Sequence, residues 1–196
     1  FEVMHFESPH SSSLFLHTLS EENRLMAIID SGLNVQWHIR SNHMGLDFKV
    51  NQNYLTYYNK IEGSWILANQ MMNEVDTLMC EGPYVADYHD IQILENGNYL
   101  LQAYDSSFVD MSIIIDGGQS VAWITGILVI QMFDINHELI YEWNAWDHLD
   151  ISQYTNLNLQ SDAIEWMHGN SIEWVGDNHI LVSNRTSNEI LKIDLQ

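Results

Sequence analysis

The chain has 196 residues, 46% of them hydrophobic, with 6 Lys and Arg against 27 Asp and Glu and a formal net charge of −21. That apolar fraction excludes a disordered segment. A field of that sign repels phosphate backbones and anionic bilayers, so neither nucleic-acid binding nor membrane insertion is expected. Cys80 is the single cysteine. It allows no intrachain disulfide and no cysteine metal cluster, and it reads as a small buried hydrophobe. With so few cations, each of the three arginines, Arg24, Arg40 and Arg185, becomes of interest wherever an anion must be held.

In chain order, short β-branched and aromatic segments alternate with Asn, Asp, Gly and Ser punctuation, the pattern of strands and turns. The strands are expected at Leu25–Asp30, Tyr54–Tyr58, Trp65–Gln70, Tyr99–Tyr104, Leu128–Asp134, Leu139–Trp143, Ile180–Ser183 and Ile190–Asp194. Hairpin turns are expected at Asp30-Ser-Gly32, Glu95-Asn-Gly-Asn98, Asn136-His137 and Gly176-Asp-Asn178. The run from Val121 to Ile130 is too short for the roughly 20 residues of a membrane helix and reads as a buried strand or strand pair. The best place for a short helix or insertion is Trp146–Leu159.

A weak internal repeat organises these elements. His89-Asp-Ile-Gln-Ile-Leu-Glu-Asn-Gly-Asn-Tyr-Leu-Leu-Gln-Ala-Tyr104 recurs as His168-Gly-Asn-Ser-Ile-Glu-Trp-Val-Gly-Asp-Asn-His-Ile-Leu-Val-Ser183. Each copy is a leading His, an apolar alternation, a turn and a second apolar strand. A second unit, a strand leaving through an Asp or Asn turn, spans Ile28–Trp37, Met71–Leu78 and Phe133–Trp143. Cycles of ~40–60 residues match a four-stranded propeller blade. The expected fold class is all-β, a partial β-propeller. About three to four blades of a larger ring, taken as six-bladed, fill residues 1–196 as one domain. A chain that opens on Phe1 with an open ring is expected to be a fragment, incomplete at both ends.

Propeller inner strands face the central channel, so residues heading equivalent strands gather at one mouth. His89 and His168 are therefore expected to share a pocket. Asp87 or Asp90 fixes the tautomer of His89, and the sequence leaves that choice open. His168 and Arg185 terminate one hairpin and are expected side by side, with Asn170 adding an amide donor. The planar fork of Arg185 suits sulfate, phosphate or carboxylate oxygens. His148 is expected to line the pocket, and Tyr88 and Trp166 are candidates to stack on an aromatic ligand. The other histidines, His5, His10, His17, His38, His43, His137 and His179, read as solvated.

The segments from Asp87 to Leu101, from Glu142 to His148 and from Met167 to Ser171, with Ser183-Asn-Arg185, resemble the arylsulfotransferase family of β-propellers. The resemblance spans most of residues 25–196. It implies a periplasmic or secreted transferase that moves a sulfuryl group from a phenolic sulfate donor to a phenol acceptor by a ping-pong route through a sulfated histidine. No cofactor and no metal are implied. On this resemblance Arg185 and His168 clamp the sulfuryl oxygens, and His89 serves the phenol oxygen or also clamps. The sulfuryl-accepting histidine is expected in a later blade, outside this segment, or else His168 takes that part. Two other readings compete: a non-catalytic propeller that binds ligands or proteins, and a metal-dependent hydrolase built on His89, His148, His168 and a carboxylate.

Overall fold

The structure is a computed structural model that describes residues 12–18, 25–40 and 44–195. His5, His10, Arg24 and His43 lie outside the described residues. The described residues form two compact units. One runs to Glu62 and adds Ile66–Thr77; the other holds Gly63–Trp65 and the chain from Leu78 onward.

The strands come in four antiparallel groups, taken in chain order. The first is β1 (Leu14–His17), β2 (Leu25–Ile29) and β3 (Val35–Arg40). The second is β4 (Met44–Asn51), β5 (Tyr54–Asn59), β6 (Ser64–Ala68) and β7 (Glu74–Leu78). The third is β8 (Ala86–Ile93), β9 (Tyr99–Val109), β10 (Ala122–Phe133) and β11 (Leu139–Asn144), to which β12 (Ala163–Glu165) adds in parallel along β10. The fourth is β13 (Gly169–Gly176), β14 (His179–Asn184) and β15 (Glu189–Asp194). Each group is an up-and-down meander with neighbours in sequence order, which is how a propeller blade is built. The fold is the expected β-propeller type. The segment after β11 holds one short helix, α1 (Ala145–His148), and a 3₁₀ turn at Ile151–Gln153.

One turn geometry recurs. At Asp30, Asn69 and Asp134 the side-chain oxygen accepts from the amides two and four residues on, at 2.8–3.1 Å. The chain then reverses through a left-handed residue, Leu33, Met72 or His137. An Asp or Asn at this position supplies the acceptor that both turn amides need, which is why that residue type punctuates the repeat. The amides of Asn34 and Glu138 hold the carboxyls of Asp30 and Asp134 below the ordinary carboxylate range.

Core placement follows strand order. Strand β10 is buried on both faces from Ile127 to Phe133, so its sequence is a continuous apolar run, whereas β14 alternates, with Ile180 and Val182 inside. The core of the second unit includes Leu100, Ile124, Leu128, Trp166 and Val182. In the first unit Phe48 gathers Phe15, Trp37 and Tyr57 at ring separations of 5.3–6.2 Å.

The third and fourth sheets are joined through their inner strands. Strand β13 has only one ladder neighbour, so half of its backbone groups need other partners. Side chains of β8 supply them. Asp90 Oδ2 accepts from the Ile172 amide at 2.8 Å and Gln92 Oε1 from the Trp174 amide at 2.6 Å. This joint fixes the head of β8 against the head of β13. Asp90→Ala leaves the Ile172 amide unpaired, a cost of about 1–3 kcal/mol, and is expected to lower the thermal unfolding midpoint by several degrees. Unchanged calorimetric melting would show that the joint is not holding the sheets.

Candidate functional site

The head of β8 is irregular: its register against β9 shifts between Ala86 and Ile91. The irregularity turns the Asp87–His89 segment out of the ladder. Asp87 is buried, and its Oδ1 accepts from three donors: the His89 amide at 2.9 Å, His89 Nδ1 at 2.7 Å and Gln102 Nε2 at 3.2 Å. The partner left open between Asp87 and Asp90 is therefore Asp87. The Trp65 indole N–H donates to the Asp87 carbonyl at 3.0 Å and fixes that backbone from beneath.

His168 stands one residue before β13. Gly169 brings the chain against Gln102, and a Cβ there would lie 2.5 Å from the Gln102 side-chain oxygen. The Tyr104 hydroxyl donates to the Gly169 carbonyl at 2.9 Å, and burial pushes this phenol well above its ordinary range, so it stays a donor. His168 Nδ1 lies 2.9 Å from Glu165 Oε1. His168 Nε2 lies 3.3 Å from His89 Nε2, across 79 positions of sequence.

The carboxylate contacts bear on the Nδ1 hydrogens. A carboxylate only accepts, so the Nδ1 atoms facing Asp87 and Glu165 each carry a hydrogen. Each neutral ring would then present a lone pair at Nε2, and two lone pairs at this distance repel. One hydrogen between the two Nε2 atoms turns that repulsion into a hydrogen bond.

Arg185 closes the group. Its amide donates to the His168 carbonyl at 2.8 Å, and its Nη2 lies 3.2 Å from His168 Nδ1. The shorter Glu165 contact claims the Nδ1 hydrogen, so the guanidinium sits beside His168 as a charge and a fork of donors. The turn after β14 leaves Arg185 exposed. The Ser171 and Ser183 hydroxyls, 2.7 Å apart, tie the two strands of that hairpin near its end.

A cavity of about 440 Å³ opens on the imidazoles, in the range of small-molecule sites. Beyond the His pair and its carboxylates, Tyr88, Tyr104, Asp105, Ser106, Thr125, Gly126 and Met167 shape its wall. Tyr88 stacks on His89 with ring centres 4.3 Å apart. One wall is the far end of the β9–β10 hairpin. There β10 bulges between Ile124 and Ile127, and Gly126 adopts φ +66°. The Gly126 carbonyl accepts from the Met167 amide at 3.1 Å, so the bulge holds the chain that carries His168. A Cβ at Gly126 would collide with the Met167 carbonyl. Gly126→Ala is expected to destabilise by about 1–3 kcal/mol and to lower activity further by moving His168; calorimetry with turnover at a temperature where the variant is folded separates the two effects.

The other expected site residues go elsewhere. Trp166 is fully buried and packs edge-on against Trp146 and Tyr154, so it offers no face to a ligand. Its place in the core follows from its amide, which donates to Thr125 O at 2.9 Å and turns the ring inward. His148 stacks on Trp143 with planes 8° apart and lines a different hollow, with Tyr141 and Lys192. Asp90 is taken up by the sheet joint, and Asn170 is exposed and does not line the cavity. Among the described residues no group of three or more His, Cys, Asp or Glu is arranged to hold a metal ion, and His148 does not join His89 and His168. Burial pushes the Cys80 thiol up to about 12, which makes it an inert thiol. Sequence reasoning missed Glu165 and the Thr125-Gly126 wall. An acid three residues before His168, matching the acid before His89, was the signal for the first. A Thr-Gly interruption of an apolar run was the signal for the second.

No helix among the described residues is long and apolar enough to cross a membrane. No curated protein matches the chain. A crystal structure of a protein of unknown function from Bacteroides caccae aligns over 94% of this chain at 12% identity, with a TM-score of 0.44. The chain spans 59% of that protein's length. The sequence model described as Arylsulfotransferase (ASST) matches residues 3–196. With nearly every residue inside that match, the chain belongs to the arylsulfotransferase family.

Proposed function

We propose that the cavity binds a phenolic sulfate ester and serves sulfuryl transfer from that donor to a phenol. The observation that carries the reading is the meeting of His89, His168 and Arg185: a 3.3 Å imidazole pair that lines the cavity, with a guanidinium beside His168 that is not part of the lining.

The chemistry needs two things. Charge on the equatorial sulfuryl oxygens must be held through the transition state, and the leaving phenoxide must receive a proton. Arg185 supplies the first, and His168 stands beside it at the same oxygens. His89 supplies the second: its Nε2 shares the one mobile proton, and Asp87 stabilises the ring that bears it. In the first half-reaction the S–O bond to the donor phenol breaks, a bond from sulfur to a histidine nitrogen forms, and the proton leaves with the phenol. In the second half the S–N bond breaks, its electron pair returns to the histidine nitrogen, the acceptor oxygen bonds to sulfur, and the acceptor's proton goes back to the pair. Because His89 and His168 are occupied with oxygen atoms, the sulfuryl-accepting nitrogen is assigned to neither. The periplasm or the extracellular medium is the compartment this family reading favours.

Three carboxylates stand in the cavity's lining. Asp87 and Glu165 are bound to imidazoles, but Asp105 lines the wall with its Oδ1 on the Ser106 amide at 2.7 Å. Its charge opposes an anionic ligand. Asp105→Asn is expected to lower KM for the sulfate ester about threefold with kcat little changed; a raised KM would place the ester on the other side of the cavity.

The test is to incubate the intact protein with p-nitrophenyl sulfate and a phenol, without nucleotide or metal. Release of p-nitrophenol that depends on the acceptor, with parallel-line kinetics, supports the proposal. Tight binding without release would favour the non-catalytic reading.

A further inference from the structure

The β9–β10 hairpin carries its cavity-facing side beyond the cavity. Phe108 and Trp123 are paired across the two strands, and Ser107 pairs with Ile124. Side chains alternate along a strand, so Val109, Ala122 and Ile124 share one face and Ser106, Phe108, Trp123 and Thr125 share the other. The first face packs into the core of the unit. On the second, Ser106 and Thr125 line the cavity, and the Phe108–Trp123 pair stands one step further from the imidazoles, about 7 Å along the hairpin.

The two rings are 4.5 Å apart at 48°, and Phe108 is 69% exposed. A large aromatic held this far into solvent beside an open cavity is unsatisfied apolar surface, and its neighbour's ring completes a platform. Tyr88, 42% exposed, also lines the cavity and stacks on His89. A phenyl ring held between Tyr88 and Thr125, both of which line the cavity, leaves the platform free. A second fused or linked ring would reach the platform.

We infer that Phe108 and Trp123 form a subsite for the distal ring of an extended aryl group, so that the site selects two-ring phenolic sulfates over single-ring ones. The inference rests on the cavity receiving a sulfate ester, and its test separates the two. Calorimetric titration of the intact protein with phenyl sulfate and with 2-naphthyl sulfate measures the preference, and turnover of the same two esters is read in parallel. The wild type is expected to bind the naphthyl ester about tenfold more tightly. Phe108→Ala should bring the two affinities close to parity, Phe108→Tyr should keep the preference, and Ile113→Ala, an exposed change off this face, should leave it intact. A full naphthyl preference in Phe108→Ala, or none in the wild type, overturns the subsite. Preference without turnover keeps the subsite and removes the transfer reading; turnover without preference does the reverse. Binding of neither ester removes both.

Discussion

Replacing His168 by alanine is expected to lower kcat/KM for aryl sulfate turnover by about 10²–10³-fold, and replacing His89 by about as much. On the proposed mechanism the two rings share one proton: each Nδ1 faces a carboxylate and the Nε2 atoms meet at 3.3 Å. Removing either ring leaves the survivor without the neighbour that holds the proton in place. The double variant should therefore lose little more than either single one, since the two act as a unit. A second signature separates proton delivery from structural damage. Donors with more basic leaving phenols depend more on the acid, so the loss should grow along a series from p-nitrophenyl to p-methylphenyl sulfate. Equal losses across the series, or additive losses in the double variant, would mean that the pair is not the acid.

Arg185→Ala is expected to reduce turnover by a similar ~10²–10³-fold, through charge rather than proton transfer. The guanidinium is held by its own backbone, whose amide is bonded to the His168 carbonyl, so its removal should leave the imidazole pair in place. The loss should then be uniform along the leaving-group series. Arg185→Lys keeps the charge but not the planar fork, and should recover only part of the activity. Wild-type rates in Arg185→Ala would reject the clamp.

The sequence carried most of the fold because its turns are chemically explicit. Asp30 and Asp134 each feed two turn amides, and no apolar residue can do that, so the strand ends were legible. The meeting of the two imidazoles was legible where repetition fixed position. His89 and His168 lead matching units, and the structure sets them in contact. What escaped was whatever depends on backbone irregularity. The bulge at Gly126 makes one long strand of the apolar run and sends its far end out as a cavity wall. Trp166 and His148 were misplaced for a related reason. Residue type marks both as ligand-binding, but the parallel pairing of β12 turns Trp166 into the core, and α1 sets His148 against Trp143.

The most direct measurement is a crystal structure of the protein with a slowly reacting aryl sulfate bound. The account predicts sulfuryl oxygens within hydrogen-bond distance of the Arg185 guanidinium and His168, and the ester oxygen facing His89. An ester seated in the hollow beside His148 and Lys192, or a sulfuryl group turned away from Arg185, would contradict it.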